Sequence, residues 1–305
     1  MIRISLIIAT HNRAQQLIEA LESVVRQDLP PGEWECVVVN NNSVDDTRER
    51  FAAFAAHCPE LNLRMVFESN PGLSHARNRG LREISAPLAA IIDDDERINP
   101  GFLRAYASFF DTHPDAAVAG GRIIAEYPAG RPAWMSHYTE QPIANPMDFG
   151  PEVRPFPAGR IPGGGNMALR RAVVTKYGAF DPTLGRVNGK LIGGEETDFF
   201  QRLQRGGETL WYIPDAVMWH IIPPQKLTLD YFRRLSYNVG VSQRIRARQE
   251  HRLPKALAAE IAKWTATLLL ALGFLLRLSP RKSLWLLRLR CGISRGLFGG
   301  GRREA

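Results

Sequence analysis

The first hundred residues alternate short apolar runs with longer amphipathic segments, and this alternation constrains the fold more than any other feature of the chain. Four runs are apolar almost throughout: Ile4–Thr10, Glu35–Asn40, Leu63–Glu68 and Leu88–Asp93. Three segments between them carry apolar residues at helical spacing: Ala14–Gln27, Val44–His57 and Leu73–Ser85. Continuous apolar strands are typical of sheets that are covered on both faces. The order therefore predicts an α/β fold with a mostly parallel, doubly wound sheet and flanking helices.

Local signals refine this outline. Ser43 and Ser74 are predicted to cap the second and third helices at their N-termini. Residues Glu126–Pro162 are rich in Pro, Gly and aromatic residues, which predicts a loop or lid. Two further helices are predicted beyond it: residues 171–177 and Glu195–Arg205.

Composition limits the class of protein and its compartment. The chain has 305 residues, of which 45% are hydrophobic, so it is long enough to bury a substantial core. Its three cysteines form no CxxC pair, which argues against a disulfide framework or a structural zinc site. The apolar run at the N-terminus is too short for a signal peptide, so the main domain is predicted to be cytosolic.

The formal charge of +8 is unevenly distributed along the chain. Residues 226–305 carry 17 Lys and Arg against 4 Asp and Glu, whereas residues 1–225 carry 22 against 27. We therefore expect two domains, a main domain over residues 1–225 and a basic, apolar, helical region over residues 226–305. The excess of positive charge directs the second region towards an anionic surface.

Each predicted strand ends in a cluster of polar residues, and the last cluster holds three consecutive aspartates, Asp93, Asp94 and Asp95. In parallel sheets of this kind, ligands bind beyond the carboxyl ends of the strands. Adjacent carboxylates repel one another and resist burial, and a bound divalent cation relieves both costs. Oxygen ligands favour Mg²⁺ or Mn²⁺. The alternative interpretation is a solvated acidic turn without a ligand.

Seven segments in this order resemble the family-2 glycosyltransferases, which have a GT-A fold. The resemblance covers roughly residues 2–222. The segments are SLIIATHNR, VVVNNNSVDDT, ESNPGLSHARNRG, IIDDDE, GGGNMALRR with GAFDPTLG, GGEETDFFQRL, and the histidine of AVMWH. It implies transfer of a sugar from a nucleotide-diphosphate donor to an acceptor hydroxyl, with Mn²⁺ or Mg²⁺ as cofactor.

The resemblance also implies roles for individual residues. Asp95 matches the metal-binding position, and Asp93 or Asp94 would contact the ribose or complete the coordination. His220 matches a late histidine that approaches the metal or the diphosphate. The remaining positions that match the family's donor site are Thr10, Asn12, Arg13, Asn40 and Arg77.

The roles of Asn40 and Arg77 are left open by the sequence. Relatives usually have an aspartate at the position of Asn40, and the amide offers donors as well as acceptors, so the base is not assigned as uracil. Arg77 would lie near the nucleotide and the diphosphate, with an ion pair on a helix surface as the alternative.

A pair of acidic residues, Glu195 and Glu196, takes the place of the family's Glu-Asp pair. Glu196 matches the residue that acts as the general base, which would take the proton from the acceptor hydroxyl as its oxygen attacks the anomeric carbon. Such a direct displacement inverts the configuration. Glu195 remains an alternative base, and both acids could instead only complement a helix dipole. Gly163–Gly165 and Asn166 are weaker candidates for ligand contacts.

The C-terminal region predicts a helix over Leu229–Glu250 and an apolar stretch over Trp264–Leu276. A helix of 13 residues spans about 20 Å at ~1.5 Å per residue, which is short of the ~30 Å hydrocarbon core. We therefore expect it to lie in the membrane interface or to re-enter. Interleaved basic and apolar residues favour a helix pair on anionic lipid at the cytoplasmic face of the cell membrane. A cover for the main domain or a dimer contact is the alternative.

Other functions fit the sequence less well. A nicotinamide-dependent dehydrogenase is disfavoured because no GxGxxG motif follows the first strand, and a nucleotidyltransferase because Ala9–Arg13 is not a Gly-rich phosphate loop. An inactive, membrane-docked binding or scaffold subunit remains an alternative. Binding of nucleic acid is not expected, because leucine and tryptophan among the basic residues suit lipid better.

Overall fold

The computed structural model describes residues 1–187, 191 and 193–299. Nine strands form one sheet. They are β1 (Ile4–Thr10), β2 (Trp34–Asn40), β3 (Leu63–Phe67), β4 (Leu88–Asp93), β5 (Glu96–Ile98), β6 (Val118–Glu126), β7 (Arg154–Pro155), β8 (Met167–Arg170) and β9 (Leu210–Ile221).

Ten α-helices accompany the strands in the described residues. They are α1 (Ala14–Val24), α2 (Thr47–Ala56), α3 (Leu73–Glu83), α4 (Phe102–Thr112), α5 (His137–Ala144), α6 (Ala172–Tyr177), α7 (Glu195–Arg205), α8 (Leu229–Gln249), α9 (Leu253–Leu276) and α10 (Pro280–Phe298).

The sheet has the strand order β3-β2-β1-β4-β8-β6-β9-β5, and β7 pairs with β9. The first four strands are parallel, β8 is antiparallel to β4 and β6, and β6 is parallel to β9. Strands β1 and β2 are buried throughout because apolar helices and strand neighbours cover both faces. The predicted α/β class with a doubly wound sheet and flanking helices is confirmed.

The register brings the polar strand ends together. Thr10 at the end of β1 pairs with Asn40 at the end of β2, and Ala9 pairs with Asp93 at the end of β4. Parallel strands share a carboxyl edge, so residues that are distant in sequence meet there.

Two predicted helix caps are wrong. Helix α2 begins at Thr47, after Asp46, and the Ser43 hydroxyl instead accepts a hydrogen bond from Asn12 N at 3.0 Å. Ser74 lies inside α3, which begins at Leu73 after Gly72. Residues that follow β1 and β2 supply contacts that local capping signals do not encode: Asn12 bonds to Ser43, and Asn41 Oδ1 accepts from Gly72 N at 2.7 Å at the start of α3.

The segment predicted as a loop is partly ordered. Helix α5 lies within it and begins with a capping box, in which the Ser136 hydroxyl accepts from Thr139 N and the Thr139 hydroxyl accepts from Ser136 N. The signal S-x-x-T is present in the sequence, but a proline inside the helix, Pro142, weakens it.

The chain divides into two compact units. The first consists of Met1–Glu126, Pro146–Thr183 and Glu195–Ile221, and contains the sheet. The second consists of Tyr127–Asn145, Leu184–Gly194 and Ile222–Ala305.

Helix α9 in the second unit is longer than the sequence predicted. It has 24 residues, or about 36 Å at ~1.5 Å per residue, because the helix begins eleven positions before the predicted start at Trp264. Among the described residues it is the one helix long and apolar enough to cross a membrane, and 17% of its most apolar window is buried. The predicted helix length of 13 residues is therefore wrong. The argument that this helix is too short to cross a membrane depended on that length and no longer holds.

Candidate active site

The three aspartates at the end of β4 point to different partners. Asp94 is buried and accepts hydrogen bonds from Thr10 Oγ1 at 2.9 Å and from Arg13 Nη1 at 2.8 Å. Burial raises the pKa of Asp94 to about 6, although the positive charge of Arg13 opposes the shift. Asp94 is therefore held at the carboxyl edge of the sheet by the end of β1 and by Arg13, which follows it.

Arg13 bridges two of the aspartates. The same Nη1 atom that reaches Asp94 lies 3.2 Å from Asp95 Oδ2. The charge of Asp94 is the main reason that the pKa of Arg13 is raised, with Asp95 acting in the same direction. The positive charge of Arg13 thus offsets the repulsion between these two neighbouring carboxylates.

Asp95 also faces His220, which lies on β9. The short strand β5 pairs with β9, with Glu96 opposite His220, and this pairing brings Asp95 Oδ1 to 3.9 Å from His220 Nε2. That separation is too long for a hydrogen bond. It is within the ~4.2 Å that two ligand bonds of ~2.1 Å to one hard cation can span.

Arg77 on α3 is the centre of the second half of the site. Its side chain is fully buried, and it donates from Nη2 to Asp93 Oδ1 at 2.9 Å and from Nη1 to Glu195 Oε1 at 3.1 Å. Glu196 Oε1 lies 3.4 Å from the same Nη1. Burial disfavours charge on Arg77, but Asp93, Glu196 and Glu195 raise its pKa above the ordinary arginine value. The alternative of a surface ion pair is wrong, because Arg77 has no exposed side-chain area.

The two glutamates begin helix α7, and they differ in access to solvent. The side chain of Glu195 is 2% exposed, whereas that of Glu196 is 23% exposed. Three acidic residues in the first turn of α7 complement the helix dipole. The contacts to Arg77 go beyond that electrostatic role, since they connect the helix to the end of β4.

The glycine run before β8 packs against carboxylates. A Cβ atom on Gly164 would overlap Oε1 of Glu196, and one on Gly165 would overlap Oε1 of Glu96. Glu96 is buried and accepts from Asp93 N at 2.7 Å, and burial raises its pKa well above the ordinary value, with Asp93 and Asp95 adding to the shift. These two positions therefore require glycine, because the acidic side chains occupy the space that a Cβ atom would need.

Asn12 and Asn40 lie beside the acidic cluster and order its loops. Asn12 has a left-handed backbone, φ 52°, and its Oδ1 accepts from Val44 N at 2.7 Å. Asn40 is buried, and its Oδ1 accepts from Ser43 N at 2.9 Å. An amide suits this position because its oxygen is engaged within the loop while its NH₂ group can still donate.

The predicted residues thus form two groups that share the end of β4. Thr10, Arg13, Asp94 and Asp95 make up one group with His220 beside it, and Asp93, Arg77, Glu195 and Glu196 make up the other. The two groups therefore meet at one strand end, while the individual roles stay predictions.

Asn166 has a structural role, and Glu96 is a buried acid of the site that has no predicted role. The Asn166 side chain is fully buried and bonds to Tyr106, Arg122 and Ala216, so it orders the strands. Glu96 follows the three aspartates directly in the sequence, a signal that was available. Its inward direction depends on the pairing of β5 with β9, which the sequence pattern does not reveal.

Comparison with known proteins finds similarity over most of the chain. The model of the family described as "Glycosyl transferase family 2" matches residues 5–178. A glucosyl-dolichyl phosphate glucuronosyltransferase of Haloferax volcanii is 24% identical over 257 residues, which cover 80% of this chain and 77% of the relative.

Two further similarities cover most of the chain. The succinoglycan biosynthesis protein ExoM of Rhizobium meliloti is 26% identical over 258 residues, 80% of this chain and 75% of that protein. The solved structure of a mannosyltransferase from Pyrobaculum calidifontis, in complex with GDP-Man and Mn²⁺, superposes with a TM-score of 0.62 at 19% identity. This superposition covers 98% of this chain and 88% of the other, which supports a common fold.

Proposed function

The chain belongs to glycosyl transferase family 2, and on that premise we propose that it moves a sugar from a nucleotide-diphosphate donor to an acceptor hydroxyl, inverting the anomeric configuration. The observation that carries the proposal is the buried Arg77, which contacts both Asp93 at the strand end and the Glu195–Glu196 pair. A guanidinium with fixed partners holds the donor end and the base end of a site at a constant separation.

The general base in this proposal is Glu196. It is the more exposed member of the pair, so its carboxylate is the one that an acceptor hydroxyl can approach. It takes the hydroxyl proton as the acceptor oxygen forms a bond to the anomeric carbon and the bond from that carbon to the diphosphate breaks. Buried Glu195 fixes the start of α7 through Arg77.

The donor site in this proposal is the carboxyl edge of the first strands. Thr10, Asn12, Arg13, Asn40 and Asp94 line the nucleotide end, and Arg13 supplies a positive charge near the phosphates. The solved mannosyltransferase holds GDP-Man, which supports a nucleotide sugar as the donor. The base and the sugar are left open.

Asp95 and His220 fit a hard divalent cation, Mn²⁺ or Mg²⁺, with Asp93 as the further carboxylate at this strand end. The described part of the chain contains no group of three His, Cys, Asp or Glu side chains placed to hold a metal. Proteins bind ions of this kind through one or two carboxylates together with substrate phosphates. A bound cation would neutralise charge on the departing diphosphate. The Mn²⁺ in the solved mannosyltransferase supports this assignment.

We further propose that the acceptor is a saccharide carried on lipid, and that residues 226–305 keep the enzyme peripheral to the cytoplasmic face of the cell membrane. The names of the relatives, one a glucosyl-dolichyl phosphate glucuronosyltransferase and one a succinoglycan biosynthesis protein, support acceptors of this class. The excess of Lys and Arg in the C-terminal region supports an anionic surface as partner.

The test is a screen of nucleotide sugars with purified protein and native membranes, with and without Mn²⁺. Release of a nucleoside diphosphate with one donor, dependent on the membranes, is the expected result. Release of pyrophosphate would instead indicate a nucleotidyltransferase. If calorimetry detects no metal-dependent binding of any nucleotide, the proposal is wrong and the result favours the inactive binding or scaffold subunit.

A further inference from the structure

Helix α9 turns its polar side chains inward, towards α10. Glu260 is fully buried, and its carboxylate accepts from Arg290 Nη1 at 3.0 and 3.1 Å and from Ser294 Oγ at 2.8 Å. Thr267 accepts from Arg290 Nε at 3.1 Å, and Trp264 Nε1 donates to Ser294 Oγ at 2.9 Å. The contact between the two helices therefore has a polar, charge-paired centre.

The opposite side of α9 consists of exposed apolar residues. Their exposed fractions run from 49% to 77% and belong to Ile261, Leu268, Leu269, Leu272, Leu275 and Leu276. At 100° per residue they share one face of the helix, which we call the leucine face. A helix in water has the reverse arrangement, with apolar residues inward and polar residues outward. In lipid, by contrast, polar side chains pair between helices and apolar ones face outward.

The other side of α10 is occupied by α8. A Cβ on Gly240 of α8 would overlap Ile293 O, and a Cβ on Gly296 of α10 would overlap Tyr237 O. Helix α10 thus lies between α8, through backbone contacts at small residues, and α9, through the polar centre. The leucine face is the side of α9 that this stack leaves exposed.

Basic residues mark both ends of the hairpin formed by α9 and α10. From Arg252 to Phe298 there are nine Lys or Arg residues and one Glu. Arg277, Arg281 and Lys282 lie at the turn between the helices, and Arg252 and Lys255 lie near the start of α9. A hairpin that crossed a membrane would carry one of these basic ends to the far side. With both ends basic, the charge pattern favours a single anionic surface.

We propose that the α9–α10 hairpin lies along an anionic lipid surface, with the leucine face in the acyl layer and the basic residues of both ends at the headgroups. The Glu260–Arg290 pair and its neighbours stay shielded between the helices, where the low dielectric strengthens them. This inference rests on the membrane location proposed above, and it identifies the residues that contact lipid. It does not depend on the proposed catalysis.

The experiment measures binding of the full-length chain to vesicles of phosphatidylcholine with and without phosphatidylglycerol, in the absence of nucleotide sugar. We expect the protein to float with the anionic vesicles. The double variant Leu268→Glu/Leu272→Glu should lose binding by at least tenfold. The control Ile124→Glu/Val153→Glu, which adds the same charge at two exposed apolar residues of the first unit, should bind as before. Equal binding by the double variant would overturn the proposal.

The same samples distinguish lipid from a second copy of the chain. Size-exclusion chromatography without vesicles should give the same elution volume for the wild type and the double variant. A wild-type dimer that the double variant dissolves would overturn the proposal in favour of a protein contact. A protein that binds vesicles but releases no nucleoside diphosphate would count against the catalytic proposal alone.

Orientation is tested by labelling the turn. Ser279→Cys is placed in a chain with Cys58→Ser and Cys291→Ser, which leaves the buried Cys36 as the other cysteine. A membrane-impermeant maleimide added outside intact vesicles should label Cys at position 279 without detergent. Labelling that requires detergent would show that the turn has crossed the bilayer, and would overturn the surface orientation.

Discussion

Arg77 on α3 and Asp93 at the end of β4 form a buried ion pair, with 2.9 Å between Nη2 and Oδ1. The guanidinium is fully buried, and its other partners are the two glutamates that begin α7. One side chain therefore connects a helix, a strand end and the start of a second helix. Removing it would leave the buried carboxylate of Glu195 without this positive charge.

Arg77→Ala is expected to destabilise the fold as well as to abolish transfer. Removal of one partner from a buried charge pair costs about 3 to 5 kcal/mol, and urea unfolding followed by circular dichroism measures the loss. Arg79→Ala is the matched control on the same helix. Arg79 and Glu83 form a partly exposed pair, with side chains 35% and 31% accessible, and its loss should cost less than about 1 kcal/mol. Equal losses for the two variants would contradict the central position of Arg77.

Replacing the carboxylate of Glu196 or of Asp95 by an uncharged amide is expected to have different effects at the two ends of the site. Glu196→Gln should lower kcat by about 10² to 10⁴-fold and leave donor binding unchanged, because Glu196 acts on the acceptor. Asp95→Asn should weaken metal-dependent donor binding itself. Isothermal calorimetry with the nucleoside diphosphate found in the release assay separates the two effects. Full activity in either variant would contradict its assigned role.

The sequence predicted the first half of the sheet because its signals are local. Apolar runs such as Ile4–Thr10 are buried on both faces, and the strand ends that they place at one edge are the ends at which the acidic cluster lies. The contacts of Arg77 span 118 and 119 positions to Glu195 and Glu196. No local pattern encodes such a distance, so the resemblance gave the residue but not its burial.

The C-terminal region shows where a local pattern misleads. The predicted apolar stretch begins at Trp264, but α9 begins at Leu253. Proline at the second helical position, Pro254, is compatible with a helix start because the missing N–H has no partner there. Glutamate side chains are mostly exposed in proteins, yet Glu260 in this helix is buried against Arg290. Which side of a helix faces inward depends on its partner.

Gly164→Ala is expected to reduce activity through Glu196. The added Cβ would overlap the Glu196 carboxylate, so the side chain must move, and a shift of ~1 Å in a reacting group costs up to about 10²-fold in rate. We expect kcat to fall by at least about tenfold at this displacement, while donor binding is retained. Gly32→Ala is the control, since no atom lies within 4 Å of its added Cβ. Unchanged kcat in Gly164→Ala would contradict the packing.

Two glycines in the C-terminal helices are expected to have opposite effects on stability. In Gly296→Ala the new Cβ meets the backbone of α8 at Tyr237, and overpacking of this kind costs about 1 to 3 kcal/mol. In Gly273→Ala, within α9, the new Cβ meets no atom within 4 Å, and alanine should stabilise the helix by about 0.5 to 1 kcal/mol. Thermal unfolding of the two variants in detergent should shift the midpoint in opposite directions. Shifts of the same sign would contradict the close contact of α8 and α10.

A buried carboxylate far from the acidic cluster, Glu35, should make stability depend on pH. It accepts from Ser5 Oγ at 2.6 Å, from Ser85 N at 2.7 Å and from Ser85 Oγ at 2.8 Å. Burial would raise its pKa, but these hydrogen bonds and the charge of Arg64 lower it below the ordinary value. The folded state therefore prefers the ionised form. Its contribution is complete above the ordinary value of 4.5 and is lost as the pH falls through the lower, folded-state value.

Glu35→Gln is accordingly expected to be less stable than the wild type at pH 7, by about 1 to 3 kcal/mol, the usual contribution of hydrogen bonds to a charged group. The difference should narrow as the pH falls below about 4.5, because the wild-type carboxylate then loses its advantage by protonation. Urea unfolding at several pH values measures the difference, with the exposed Glu60→Gln as the control that should match the wild type throughout. A difference that stays constant as the pH falls would mean that packing of the side chain, and not its charge, stabilises this part of the sheet.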